Sequence, residues 1–144
     1  MAVLKHLPNT ITCLNLFCGC LAMLFAFRGE LNTAAWLILT AGILDFLDGM
    51  AARLLKAWSE IGKELDSLAD VVSFGVAPSV ILFTLAQNTM MASDPAFSLT
   101  EAPVAQQALL FSLFVVALFS ALRLAKFNID TRQTTSFLGL PTPA

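Results

Sequence analysis

The chain has no tyrosine, one histidine, three cysteines and only 12% charged residues. Such scarcity of charge excludes an ordinary soluble globular domain, where about 25% of residues are charged. Cys13, Cys18 and Cys20 supply no even-numbered disulfide framework, and Cys18-Gly19-Cys20 lacks the two-residue gap of a redox or zinc motif. They read as small apolar residues suited to helix packing. With tyrosine absent, the 12 phenylalanines read as lipid-facing bulk rather than a base-stacking platform. Strand-like alternation and solenoid repeats are missing too. A cleavable signal peptide is not expected, because the apolar run at 7–27 exceeds the roughly 7–15 residues of a signal core. It is long enough for a bilayer, which takes about 20 helical residues.

What the sequence has is apolar length. It is 58% hydrophobic, with a mean hydropathy of +0.80. Uncharged runs at 7–27, 31–44, 71–93 and 102–122 predict four transmembrane helices, an all-α polytopic bundle. The stretch SDPAFSLTEAP, 93–103, predicts an exposed loop with a Ser or Thr cap before the fourth helix. Of the eight Lys and Arg residues, all but Arg28 fall at the N-terminus or in the second and fourth connections: Lys5, Arg53, Lys56, Lys63, Arg123, Lys126 and Arg132. The positive-inside rule puts both termini and the second connection on the cytoplasmic side.

The second helix is short of apolar sequence. Residues 31–44 span about 21 Å at 1.5 Å per residue, against a hydrocarbon thickness of about 30 Å. To finish crossing, the helix must carry Asp45 and Asp48 into the inner leaflet. Intramembrane acids are costly and mark function by default. If 31–56 stays helical, Asp45, Asp48, Gly49, Ala52 and Arg53 form one stripe. On the next helix Gly62, Asp66 and Asp70 recur every fourth residue, with Ser73 and Ala77 continuing their face. A short turn around 58–61 makes the two helices antiparallel neighbours with facing stripes.

Carboxylates gathered so closely need a counter-charge. Hard oxygen donors with no cysteine or histidine among them suit Mg²⁺, Mn²⁺ or Ca²⁺ and argue against zinc or copper. Four carboxylates can hold two divalent ions about 3.5–4 Å apart, a clamp for phosphoryl chemistry. Gly49, Ala52 and Gly62 let a bulky ligand approach the backbone, and Arg53 offers a fork for phosphate oxygens. Lys56, Glu60, Lys63 and Glu64 read as a solvated rim.

The full spacing, Asp45-x2-Asp48-Gly49-x2-Ala52-Arg53-x8-Gly62-x3-Asp66-x3-Asp70, resembles the signature of the CDP-alcohol phosphotransferases. Within that family LPNTITCLNLFCG (7–19), RLAKFN (123–128) and FLGLPTPA (137–144) are similar to the flanks of the integral-membrane phosphatidylserine synthases. The resemblance implies transfer of the phosphatidyl group of CDP-diacylglycerol to L-serine, giving phosphatidylserine and CMP, in the cell (inner) membrane with the site on the cytoplasmic side. It further implies a divalent cation, Mg or Mn and two per site, and a homodimer. Six spanning helices are expected in the full family fold, so 1–144 reads as a single domain lacking the C-terminal helices.

Position by position, the resemblance makes Asp45, Asp48, Asp66 and Asp70 the metal ligands and Asp70 also the general base. Gly49, Ala52, Arg53, Ser59 and Gly62 would cradle the cytidine diphosphate, with Asn9 and Thr12 closing the pocket; Asn9 and Thr12 read equally as helix-start caps. Arg123, Lys126 and Asn128 would bind the serine carboxylate or the lipid phosphate, or else Arg123, Lys126 and Arg132 contact anionic headgroups. Phosphatidylglycerophosphate and inositol-phosphate synthases share the aspartate signature without the flanks. A cation transporter is the rival from another class, disfavoured by the lack of a visible helix break at mid-membrane.

Overall fold

The computed structural model describes residues 7–57 and 59–129; Lys5, Trp58, Arg132 and the 137–144 motif lie outside them. Among the described residues there is no strand, and four helices are long and apolar enough to cross a membrane. The chain is an all-α membrane-spanning bundle, as its apolar runs predict. The first two spans are α1 (Leu7–Phe27) and α2 (Leu31–Leu54). The third joins α3 (Glu60–Asp70), a π-helical stretch (Val71–Val76) and α4 (Ala77–Ser93). The fourth is divided into α5 (Val104–Ser112) and α6 (Val115–Ile129).

Packing follows membrane logic. The buried face of α1 is Pro8, Thr12, Asn15, Gly19, Ala22 and Ala26, whereas Leu14, Phe17, Leu24 and Phe27 are exposed. Lipid outside gives large apolar side chains no reason to hide, while small residues let backbones close up. A Cβ on Gly19 would stand 2.6 Å from Ser73 Oγ, and the Ser73 hydroxyl donates to the Asn15 carbonyl at 3.1 Å. Alanine dominates the core toward the far end of the bundle, where Ala22, Ala26, Ala34, Ala77 and Val80 cluster. Toward the other end the buried residues turn polar: Thr12, Asn15, Asp48, Asp70 and Ser73.

The turns after the first and the second span use the same device. After α1, Gly29 takes φ 79, with its N–H on the Ala26 carbonyl and Glu30 N–H on Phe25, the paired bonds of a Schellman motif. After α2, Lys56 takes the left-handed position at φ 48, and Ala57 N–H bonds Ala52. Ser59 then caps α3, its Oγ accepting the Gly62 N–H at 3.0 Å.

Two interruptions depart from the uninterrupted runs. In the third span Ala77 N–H bonds Val72 O, five residues back. Pro78 has no N–H to continue an ordinary ladder, and a wider turn accommodates its ring; Ser79 Oγ donates to Gly75 O at 2.9 Å. In the fourth span Leu113 and Phe114 bond back to Leu110 and Phe111. The Phe114 and Phe111 rings there pack on Phe83 of α4, with centroids 5.6 Å and 6.4 Å away. The expected Ser or Thr cap before this span is replaced by Pro103. Ser98 and Thr100 hydroxyls bond each other instead, and Gln107 donates to the Ala102 carbonyl.

Candidate active site

The helix of the second span does continue past the apolar run, reaching Leu54 and so carrying Asp45 and Asp48 inward. Asp66 and Asp70 come from α3. This helix leans on α1 rather than on α2, with a Cβ on Gly62 falling 2.9 Å from Asn9 Oδ1. Since Ser73 meets Asn15 further along, α1 and the third span run parallel. The two acidic stripes therefore face each other across a gap floored by α1.

Asp45, Asp48 and Asp66 each offer a carboxylate oxygen, all within 4.8 Å of one another. Asp70 stands beside Asp45 and Asp66. Asp48 is 4% exposed and Asp70 6%, and Asp48 Oδ2 and Asp70 Oδ1 are buried with no hydrogen-bond partner. Buried carboxylate oxygens left unmet are expensive. A divalent ion bound at about 2.0–2.6 Å separates ligands on opposite sides by roughly 4–5 Å, matching the spread of these oxygens. The donor set fits a hard divalent cation.

Beside the acids opens a pocket of about 100 Å³. From α1 it is lined by Pro8, Asn9 and Thr12, from α2 and its turn by Asp48, Gly49, Ala52 and Ala57, and from α3 by Ser59, Gly62, Lys63 and Asp66. Thr12 donates to Pro8 O at 3.0 Å and faces Asp48. The two glycines serve opposite needs. A Cβ on Gly49 would meet nothing within 4 Å, whereas one on Gly62 would collide with Asn9 and with Ser59 Oγ. Gly49 leaves room for a ligand, and Gly62 lets the wall close.

Most of the residues expected from the sequence are thus brought together. Arg53 is exposed and absent from the pocket wall; Lys63 is exposed too, as its assignment to the solvated rim expects, yet it also lines the pocket. Arg123 and Lys126 are exposed on α6, and Arg123 ends a separate open groove along the fourth span. Asn128 Nδ2 donates to Ser67 Oγ at 2.8 Å, and Ser67 donates to Lys63 O. That chain of bonds ties the end of α6 to the acid-bearing helix.

A model of the CDP-alcohol phosphatidyltransferase family matches residues 5–143. The chain belongs to that family. It is 37% identical over 140 residues to the CDP-diacylglycerol–serine O-phosphatidyltransferase of Bacillus subtilis (strain 168), covering 97% of this chain and 71% of that protein. To the enzyme of the same name from Helicobacter pylori (strain J99) it is 40% identical, over 95% of this chain and 52% of that protein. It is also 34% identical to the archaetidylserine synthase of Methanothermobacter thermautotrophicus, over 95% of this chain and 53% of that protein. The chain thus spans about half the length of the second and third of these relatives. No solved structure matches it significantly.

Proposed function

We propose that the protein is a transferase of phospholipid biosynthesis that moves the phosphatidyl group of CDP-diacylglycerol to L-serine, giving phosphatidylserine and CMP. The observation that carries this reading is the convergence of Asp45, Asp48 and Asp66 oxygens within 4.8 Å, with Asp48 and Asp66 lining the adjoining pocket. The relatives' names support the acceptor: the lipid differs between diacylglycerol and archaetidyl, and serine is common to both.

Asp45, Asp48, Asp66 and Asp70 would hold divalent cations, two Mg²⁺ or Mn²⁺, which when bound neutralise the diphosphate and the charge growing on the leaving CMP oxygen. Asn9, Thr12, Gly49, Ala52, Ser59 and Gly62 embrace the cytidine diphosphate, with Lys63 supplying positive charge from the wall and Arg53 adding to it only from outside the pocket. The serine hydroxyl gives its proton to Asp70, whose Oδ1 has no competing partner. Its oxygen bonds to the phosphatidyl phosphorus while the bond from that phosphorus to the CMP oxygen breaks. Burial keeps water from competing as nucleophile, and positioning with electrostatics lowers most of the barrier. Acyl chains stay in the bilayer throughout, since the acids sit where a lipid diphosphate rests.

The site faces the cytoplasm, on the support of the basic residues in the second and fourth connections. Asn128, through Ser67, keeps the end of α6 against α3, and Arg123 and Lys126 at that end attract the serine carboxylate or lipid phosphate. Family membership supports a homodimer. The π-helical stretch favours no ion pathway, because its backbone remains hydrogen-bonded.

The test is CMP release from CDP-diacylglycerol with serine, glycerol 3-phosphate or inositol phosphate as acceptor, in vesicles holding the protein. Release with serine alone is expected. Preference for either phosphate acceptor contradicts the serine assignment, and cation flux without CMP contradicts the enzyme.

A further inference from the structure

Asn15 is fully buried, yet neither its Oδ1 nor its Nδ2 has a hydrogen-bond partner. Its backbone carbonyl is already engaged by Ser73, so the unmet groups belong to the carboxamide alone. A carboxamide carries two donors and two acceptor lone pairs, and leaving them all unmet away from water is costly. Leucine has similar bulk and would fill the same space without that cost.

Its location says what it meets. Asn15 lies on the buried stripe of α1, one turn beyond Thr12, the innermost α1 residue of the pocket wall. Along the parallel third span, Asn9 is level with Gly62 while Asn15 and Gly19 meet Ser73. Asn15 therefore falls at the depth of Asp70, whose Oδ1 is also buried and unmet. The nucleotide pocket ends one turn short of this level. A diphosphate offers only acceptors and would leave the carboxamide oxygen idle. An α-amino acid offers an ammonium to Oδ1 and a carboxylate to Nδ2, satisfying both at once.

Resting on the serine-transferase reading above, we propose that Asn15 is the specificity-determining contact for the α-amino acid end of the acceptor. Its oxygen receives the ammonium and its N–H₂ donates to the carboxylate, which turns the acceptor hydroxyl toward Asp70.

The test measures CMP release by the full chain in vesicles, with kcat and KM for serine and for CDP-diacylglycerol, in the native protein, Asn15→Leu and Asn15→Asp. Asn15→Leu should raise the serine KM on the order of 10–100-fold, as loss of hydrogen bonds to charged groups does, with the CDP-diacylglycerol KM within about twofold. Asn15→Asp keeps the ammonium partner but repels the carboxylate. It should shift preference about tenfold from serine toward ethanolamine, which lacks that carboxylate, a change that mere loosening of the bundle does not produce. An unchanged serine KM in Asn15→Leu, or a parallel rise in both KM values, overturns the assignment. Should Asn15→Leu fail to fold, an unchanged serine-to-ethanolamine ratio in Asn15→Asp overturns it. Native protein that uses another acceptor in place of serine fails at the earlier step, and is recognised before any variant is compared.

Discussion

Gly62 and Asn9 touch so closely that no side chain fits between them: a Cβ on Gly62 would lie 2.9 Å from Asn9 Oδ1 and equally near Ser59 Oγ. This contact fixes the mouth of the pocket, because it joins the start of α3 to the start of α1. Gly62→Ala must push Asn9 aside or break the Ser59 cap. Overpacking of this kind costs about 1–3 kcal/mol. The expected result is a rise of roughly tenfold in the CDP-diacylglycerol KM with the serine KM little changed, read from initial-rate CMP release.

Asp70→Asn preserves size and removes the proton acceptor. Equilibrium binding of CDP-diacylglycerol should persist, while kcat falls on the order of 10²–10⁴-fold, the usual worth of a positioned general base. Normal turnover in this variant assigns the base elsewhere.

Lys63 is the only basic residue on the pocket wall among the described residues. Lys63→Met keeps the aliphatic stem and deletes the charge. Loss of a charge-assisted contact to phosphate is worth about 1.5–3 kcal/mol, so the CDP-diacylglycerol KM should rise at least tenfold. Added salt should weaken substrate binding in the native protein more than in the variant.

Lys56 holds φ 48 at the position after α2 where glycine is ordinarily found. Lys56→Gly relieves the steric cost of a side chain there, about 1 kcal/mol. A higher melting temperature in detergent is expected, with CMP release unaltered, since the Lys56 side chain is exposed and absent from the pocket wall.

Much of this site is legible in the sequence, for reasons its geometry makes plain. Asp48, Gly49 and Ala52 each stay within about 60° of Asp45 around a helix of 100° per residue, and they do share a face. Arg53 lies about 80° from Asp45 by the same arithmetic, and it is exposed. Lys63 was hidden because a charge at a helix end ordinarily means solvent; the cue was its place between Gly62 and Asp66. Asn15 follows Asn9 and Thr12 at three-residue steps, a polar stripe in an apolar helix that spacing alone reveals. The third-span π stretch lies in unbroken apolar sequence, with Pro78 its one marker. The break near Phe114 has no local marker, since the packing of Phe111 and Phe114 on Phe83 is a tertiary matter.

The most direct measurement is Mn²⁺ binding, followed by electron paramagnetic resonance on the purified protein without substrate. Loss of the free-ion signal in stoichiometric proportion is predicted for the native chain, with recovery of that signal in Asp48→Asn and Asp66→Asn variants that remain folded. Equal Mn²⁺ uptake by native and variant proteins, or none by either, contradicts a cation site between α2 and α3.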